Sequence, residues 1–132
     1  MITEDYVSFE IAKLLKEKGF NEPCLKQYYN NGELSNVSIE AKYNTIDNQV
    51  SAPTLQMVMK WLRKVHNIHI ELNWDKGNQL YSFNIWKPGK YQPEISSLDL
   101  WRIYKDYNYP GEWNYEKAAE EAIKYCLEHL IK

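Results

Sequence analysis

At Asn67 the hydrophobic period of this chain changes from 3.6 residues to 2, and that switch constrains the fold more than any other feature of the sequence. Upstream, Leu55, Val58, Met59, Leu62 and Val65 recur at helical spacing with Trp61 on the flank, and Pro53 opens the helix, its ring preorganised for a first turn. Downstream, Ile68, Ile70, Leu72 and Trp74 alternate with His69, Glu71 and Asn73, the pattern of a half-buried strand. Asp75-Lys76-Gly77-Asn78 supplies turn chemistry, and Tyr81, Phe83 and Ile85 then alternate with Ser82, Asn84 and Trp86. The spacing predicts a hairpin across residues 68–86 with one apolar face, ended by the Pro88-Gly89 step.

Flanking segments extend the same logic. Ser8 precedes an amphipathic run with Val7, Ile11, Leu14 and Leu15 on one face, and Gly19 stands where a left-handed cap belongs. Phe20 is placed to fold back on the last turn, and Pro23 blocks continuation. Leu25-Lys26-Gln27-Tyr28-Tyr29 reads as a strand entering a tight turn at Asn30-Asn31-Gly32, with a returning strand over 35–43. Within the irregular, aromatic-rich segment 87–114, Leu100-Trp101-Arg102-Ile103-Tyr104 is expected to form a short edge strand. Asn114 caps a terminal helix over 115–131, whose stripe carries Ala119, Ala122, Ile123, Cys126, Leu127, Leu130 and Ile131.

Strands joined locally rather than through helical crossovers make an antiparallel sheet. The expectation is an α+β protein of order α-ββ-α-ββ-(β)-α, with about four strands in two hairpins packed by three helices. At 132 residues the chain is read as one domain, 1–132, long enough to bury a core without metal or disulfide staples. Leu62, Ile70, Phe83, Ile123 and Leu127 are the expected centre of that core.

Composition removes several function classes. Sixteen basic against eighteen acidic residues leave a net charge of -2, which supplies no general attraction to phosphate backbones or anionic membranes. Fourteen of the cations are lysines and only Arg63 and Arg102 carry the guanidinium fork that grips phosphate or guanine, so nucleic acid is an unexpected partner. The glycines are isolated and form no phosphate loop, and no strained-turn motif marks Ser8, Ser51, Cys24 or Cys126 as a nucleophile. No apolar run is long enough to cross a bilayer, and the acidic start Met-Ile-Thr-Glu-Asp-Tyr lacks a leader pattern. A cytoplasmic protein is therefore expected, with Cys24 and Cys126 as free thiols.

Chemistry-bearing spacings are few. His66-x-x-His69 with Cys126-x-x-His129 has the residue types zinc accepts, but the first pair straddles a helix-to-strand junction. The preferred reading puts His66 as a cation at a helix C-terminus, His69 on the wet face of its strand, Cys126 in the core and His129 near the end of the last helix, with no metal and no cofactor. Glu116, Glu120, Glu121 and Glu128 alternate with Lys117 and Lys124 as a solvated helix face, and Asp99, Asp106 and Glu112 sit among the loop aromatics. Of those rings, Trp101 and Tyr104 are expected as sheet cover, and Tyr91, Tyr107, Tyr109 and Trp113 as an exposed recognition surface. No catalytic residue is assigned.

The blocks Phe9-Glu10-Ile11-Ala12-Lys13-Leu14-Leu15-Lys16-Glu17-Lys18-Gly19-Phe20, Ser51-Ala52-Pro53-Thr54-Leu55-Gln56-Met57, Trp61-Leu62-Arg63, His66-Asn67-Ile68-His69-Ile70 and Ala122-Ile123-Lys124-Tyr125-Cys126-Leu127 resemble small uncharacterised proteins of bacterial and prophage genomes. The resemblance implies a mobile-element origin and no activity. The leading expectation is a non-catalytic accessory or regulatory protein that binds a protein partner, a second copy of itself included. A small enzyme with a histidine-containing pocket and a nucleic-acid-binding module are the competing classes, marked respectively by a histidine–carboxylate pair in a deep pocket and by a lysine stripe beside exposed rings.

Overall fold

The computed structural model describes residues 2–103 and 114–131, with the backbone alone for 101–103. It is α+β, with four α-helices and two small antiparallel sheets among the described residues. The chain groups into two compact units, residues 1–58 with 124–132 and residues 59–123.

In the first unit, α1 (Phe9–Glu17) starts where Ser8 Oγ accepts from the Ile11 amide at 3.3 Å. It stops at Gly19, whose φ of +90° lets the Phe20 N–H return to Leu15 O at 2.9 Å while the Gly19 N–H reaches Lys16 O at 3.3 Å. This is the Schellman pairing, and it buries Phe20 as the spacing predicts. The predicted first hairpin is only half present. Asn30-Asn31-Gly32 does turn the chain, with Gly32 at φ +88° and a single bridge between Tyr28 and Leu34. No ladder follows over 35–43; β1 (Gln27–Tyr29) instead pairs with β2 (Gln49–Ser51), in the register Gln27 to Ser51 and Tyr29 to Gln49. Strands of three residues are too short for a period of two to announce them. Two sheets therefore stand where one sheet of about four strands was expected.

The boundary between the units falls within α2 (Leu55–Val65). Its cap is Thr54, whose Oγ1 accepts from the Met57 amide at 3.2 Å, so Pro53 precedes the helix rather than opening it. Trp61, expected on the flank, is buried, whereas Val65 at the helix end is exposed. Asn67 takes a φ of +59°, and the Ile68 amide returns to Leu62 O at 3.0 Å. Asparagine tolerates that left-handed turn, which is why the period changes there.

The second unit is built on β3 (His69–Asp75), β4 (Leu80–Trp86) and β5 (Ile95–Ser96), in that spatial order. The hairpin register pairs Ile70 with Ile85 and Leu72 with Phe83, and on the other face His69 with Trp86 and Glu71 with Asn84. That is the face assignment which the alternation predicts, except that Trp74, next to the turn and paired with Tyr81, is exposed. Asp75 holds the turn: its Oδ1 accepts from the Gly77 and Asn78 amides at 3.0 and 3.2 Å.

Residues 95–103 correct the expected edge strand at 100–104. The strand there is β5, and α3 (Ser97–Ile103) follows at once, started by a reciprocal capping box. The Ser96 amide donates to Asp99 Oδ2 at 3.0 Å and the Asp99 amide to Ser96 Oγ at 3.2 Å. Ser97 Oγ then accepts from the Phe83 amide at 3.2 Å, satisfying β4 one residue past the end of its partner strand. The last helix, α4 (Tyr115–Tyr125), has its predicted cap, with Asn114 Oδ1 accepting from the Lys117 amide at 2.7 Å. It does not run on as α-helix to 131: Cys126–Leu130 widens into a π turn closed from the Ile131 amide to Cys126 O at 3.1 Å.

Each expected core residue, Leu62, Ile70, Phe83, Ile123 and Leu127, is buried. Among the described residues no helix is long and apolar enough to cross a membrane.

Candidate functional site

Glu71 is the most organised polar group of the second unit. Its Oε1 accepts from Asn84 Nδ2 at 3.1 Å, from Asn73 Nδ2 at 3.3 Å and from Trp86 Nε1 at 3.3 Å. The strand register dictates this meeting: Asn84 lies directly across the ladder, Asn73 two residues along the same strand, and Trp86 on the diagonal. These donors, Asn84 first, favour the charged carboxylate and hold its pKa below the ordinary glutamate value, with a smaller contribution from the nearby His69. His69 and Glu71 share no hydrogen bond, so the pair is not wired as an acid–base couple.

One consequence of the Glu71 bond is a fixed indole. Trp86 forms a wall of a hollow of about 290 Å³, shared with Arg63, Asn67, Ile68, His69, Lys87 and Pro88. The elements explain the gathering. Arg63 lies in the last turn of α2, Asn67 turns the chain back, Ile68 and His69 lead into β3, and Trp86 ends β4 beside His69. Among the described residues no carboxylate lines the hollow, and neither Arg63 nor Lys87 forms an ion pair. The sequence signal for it was Arg63 itself, one of two arginines in the chain, but a cavity made from a helix end and both ends of a hairpin has no period to betray it.

The histidine–cysteine set is dispersed in role. His66 meets the edge of the Trp61 ring, centroids 4.7 Å apart, and its Nε2 is buried with no hydrogen-bond partner. It stands at the helix end as expected, where burial pushes its pKa below the ordinary histidine value and so disfavours the charged form. His69 lines the hollow and is exposed, as its strand parity predicts. Cys126 is buried, and the exposed His129 lies against the Tyr125 ring with centroids 4.7 Å apart. Among the described residues no three His, Cys, Asp or Glu side chains gather as metal ligands.

Of the expected recognition rings, Tyr91 is fully exposed, while Tyr107, Tyr109 and Trp113 lie outside the described residues, as do Tyr104 and the side chain of Trp101.

The first unit has a surface that the sequence reading missed. Leu25, Leu34, Val37 and Ile39 are exposed, Val37 by 57% and Ile39 by 63%. Their segment is tied down: the Ile39 amide donates to Leu25 O at 3.1 Å, the Ser35 amide to Gln27 O at 2.9 Å, and the Tyr43 hydroxyl to Ile39 O. Nearby, Cys24 and Met57 contribute to a second hollow of about 320 Å³. Burial pushes the Cys24 thiol up to about 11, well away from a reactive thiolate. No protein-family model, curated protein or solved structure matches this chain.

Proposed function

We propose that this chain is a non-catalytic accessory or regulatory protein of a mobile element, acting in the cytoplasm by binding another protein. The observation that carries the binding part is the aliphatic group Leu25, Leu34, Val37 and Ile39, held open to water on a hydrogen-bonded segment. Large apolar side chains exposed together on an ordered surface are a mark of protein interfaces. Burying such a side chain from full exposure is worth about 1.5–3 kcal/mol, and these are already partly covered, so each contributes about half of that and a partner that seats three or four of them gains a useful share of a specific binding energy. The mobile-element setting rests only on the resemblance read in residues 9–20 and the other sequence blocks.

Affinity capture from the host lysate, run in parallel with the parent and with a Val37→Lys/Ile39→Lys double variant, tests this reading. One stoichiometric protein retained by the parent and lost by the double variant, at unchanged melting temperature, is the expected result. Self-association seen by sedimentation and abolished by the same variant would make the partner a second copy. A partner retained equally by both forms, or no partner together with turnover in a substrate screen, would remove the reading.

A further inference from the structure

We propose that the hollow lined by Arg63, Lys87, Trp86, Ile68 and Pro88 is a binding site for a small oxyanion, a carboxylate or phosphate attached to a flat apolar body. Its described lining comes from the second unit alone, and the proposal stands independently of the function proposed above.

Three observations converge. Among the described residues the charge on the walls is of one sign, since Arg63 and Lys87 line the hollow without a carboxylate partner. A guanidinium and an ammonium set on one cavity are the donors that oxyanions pair with, the first through its planar fork and the second as a point charge. Of the other described walls, the Trp86 indole, Ile68 and Pro88 are apolar, and Asn67 and His69 add polar edges without negative charge. A flat ring stacking on that indole would leave its oxyanion within the reach of the cations. Finally, the indole is prepositioned. Glu71 Oε1 holds Trp86 Nε1, and Asn73 and Asn84 hold Glu71, so the tryptophan has less side-chain freedom to lose on binding. Glu71 is thus a positioning residue rather than a contact. A volume of about 290 Å³ suits a molecule of one or two rings.

The test follows the indole N–H resonance of Trp86 in the full chain, assigned through Trp86→Phe, during titration with benzoate, phenyl phosphate and the neutral benzamide. The expected result is saturable movement with either anion, a dissociation constant of about 1 mM or tighter, and no saturable movement with benzamide. Which anion binds more tightly decides between carboxylate and phosphate as the source. Arg63→Ala and Lys87→Ala should each weaken binding roughly tenfold, and rising salt should weaken it further. Glu71→Ala should bind more weakly than Glu71→Gln, which has the same charge but keeps an acceptor for the Trp86 N–H; equal binding by the two would remove the positioning role. An anion that binds with the same affinity to the parent and to both cation variants, benzamide binding as well as benzoate, or no saturable movement with either anion would overturn the proposal.

Discussion

Single residues in this protein carry opposite electrical histories, and acidification should separate them. Glu71 is held anionic by N–H donors, so its folded pKa lies below that of the unfolded chain, and the stability it contributes is fully present above the ordinary value of 4.5 and is lost as pH falls through the folded one. His66 is also depressed, but by burial of a base, so below its ordinary value of 6.5 the unfolded chain takes up a proton first and folding weakens. Both signs agree: stability falls with falling pH, from about 6.5 for His66 and from about 4.5 for Glu71. Urea midpoints measured across that range should show the upper step vanish in His66→Gln and the lower one in Glu71→Gln. The two signals differ in legibility. That His69, Glu71 and Asn73 share a wet face follows from strand parity alone, whereas the partners Asn84 and Trp86 depend on the register, which the turn at Asp75 sets through side-chain bonds no alternation records.

Elements stop and start where short polar signals say so, and each such signal has a measurable cost. Gly19→Ala places a Cβ in open space, so its penalty comes from the φ of +90° alone, about 1 kcal/mol by chemical denaturation. Removing either half of the reciprocal bond at the start of α3, by Ser96→Ala or Asp99→Ala, should cost about 0.5–2 kcal/mol. The same distinction explains what the sequence disclosed. Helices α1, α2 and α4 and the long hairpin extend over seven or more residues, enough for a period to repeat, and were legible with their caps at Ser8 and Asn114. Strands β1, β2 and β5 have two or three residues and exist because a distant segment supplies their hydrogen bonds. The helix α3 was legible in principle: Ser96-Ser97-Leu98-Asp99 is a capping box, overlooked because Leu100-Trp101-Arg102-Ile103-Tyr104 looks like a strand when read without it.

For the whole molecule the central quantity is the burial of Leu62, whose truncation to alanine should cost about 2–5 kcal/mol, checked by the shift of the denaturation midpoint. Reading 1–132 as one cooperative domain further predicts that every probe of unfolding moves at the same denaturant concentration. The two compact units happen to be labelled differently by nature. All five tryptophans, at 61, 74, 86, 101 and 113, belong to residues 59–123, while both cysteines, Cys24 and Cys126, belong to the remainder, where each is a buried thiol outside any disulfide. Indole emission therefore watches one half of the chain and iodoacetamide labelling the other, without a single engineered reporter. A half that opens alone would announce itself in one channel while the other stayed silent.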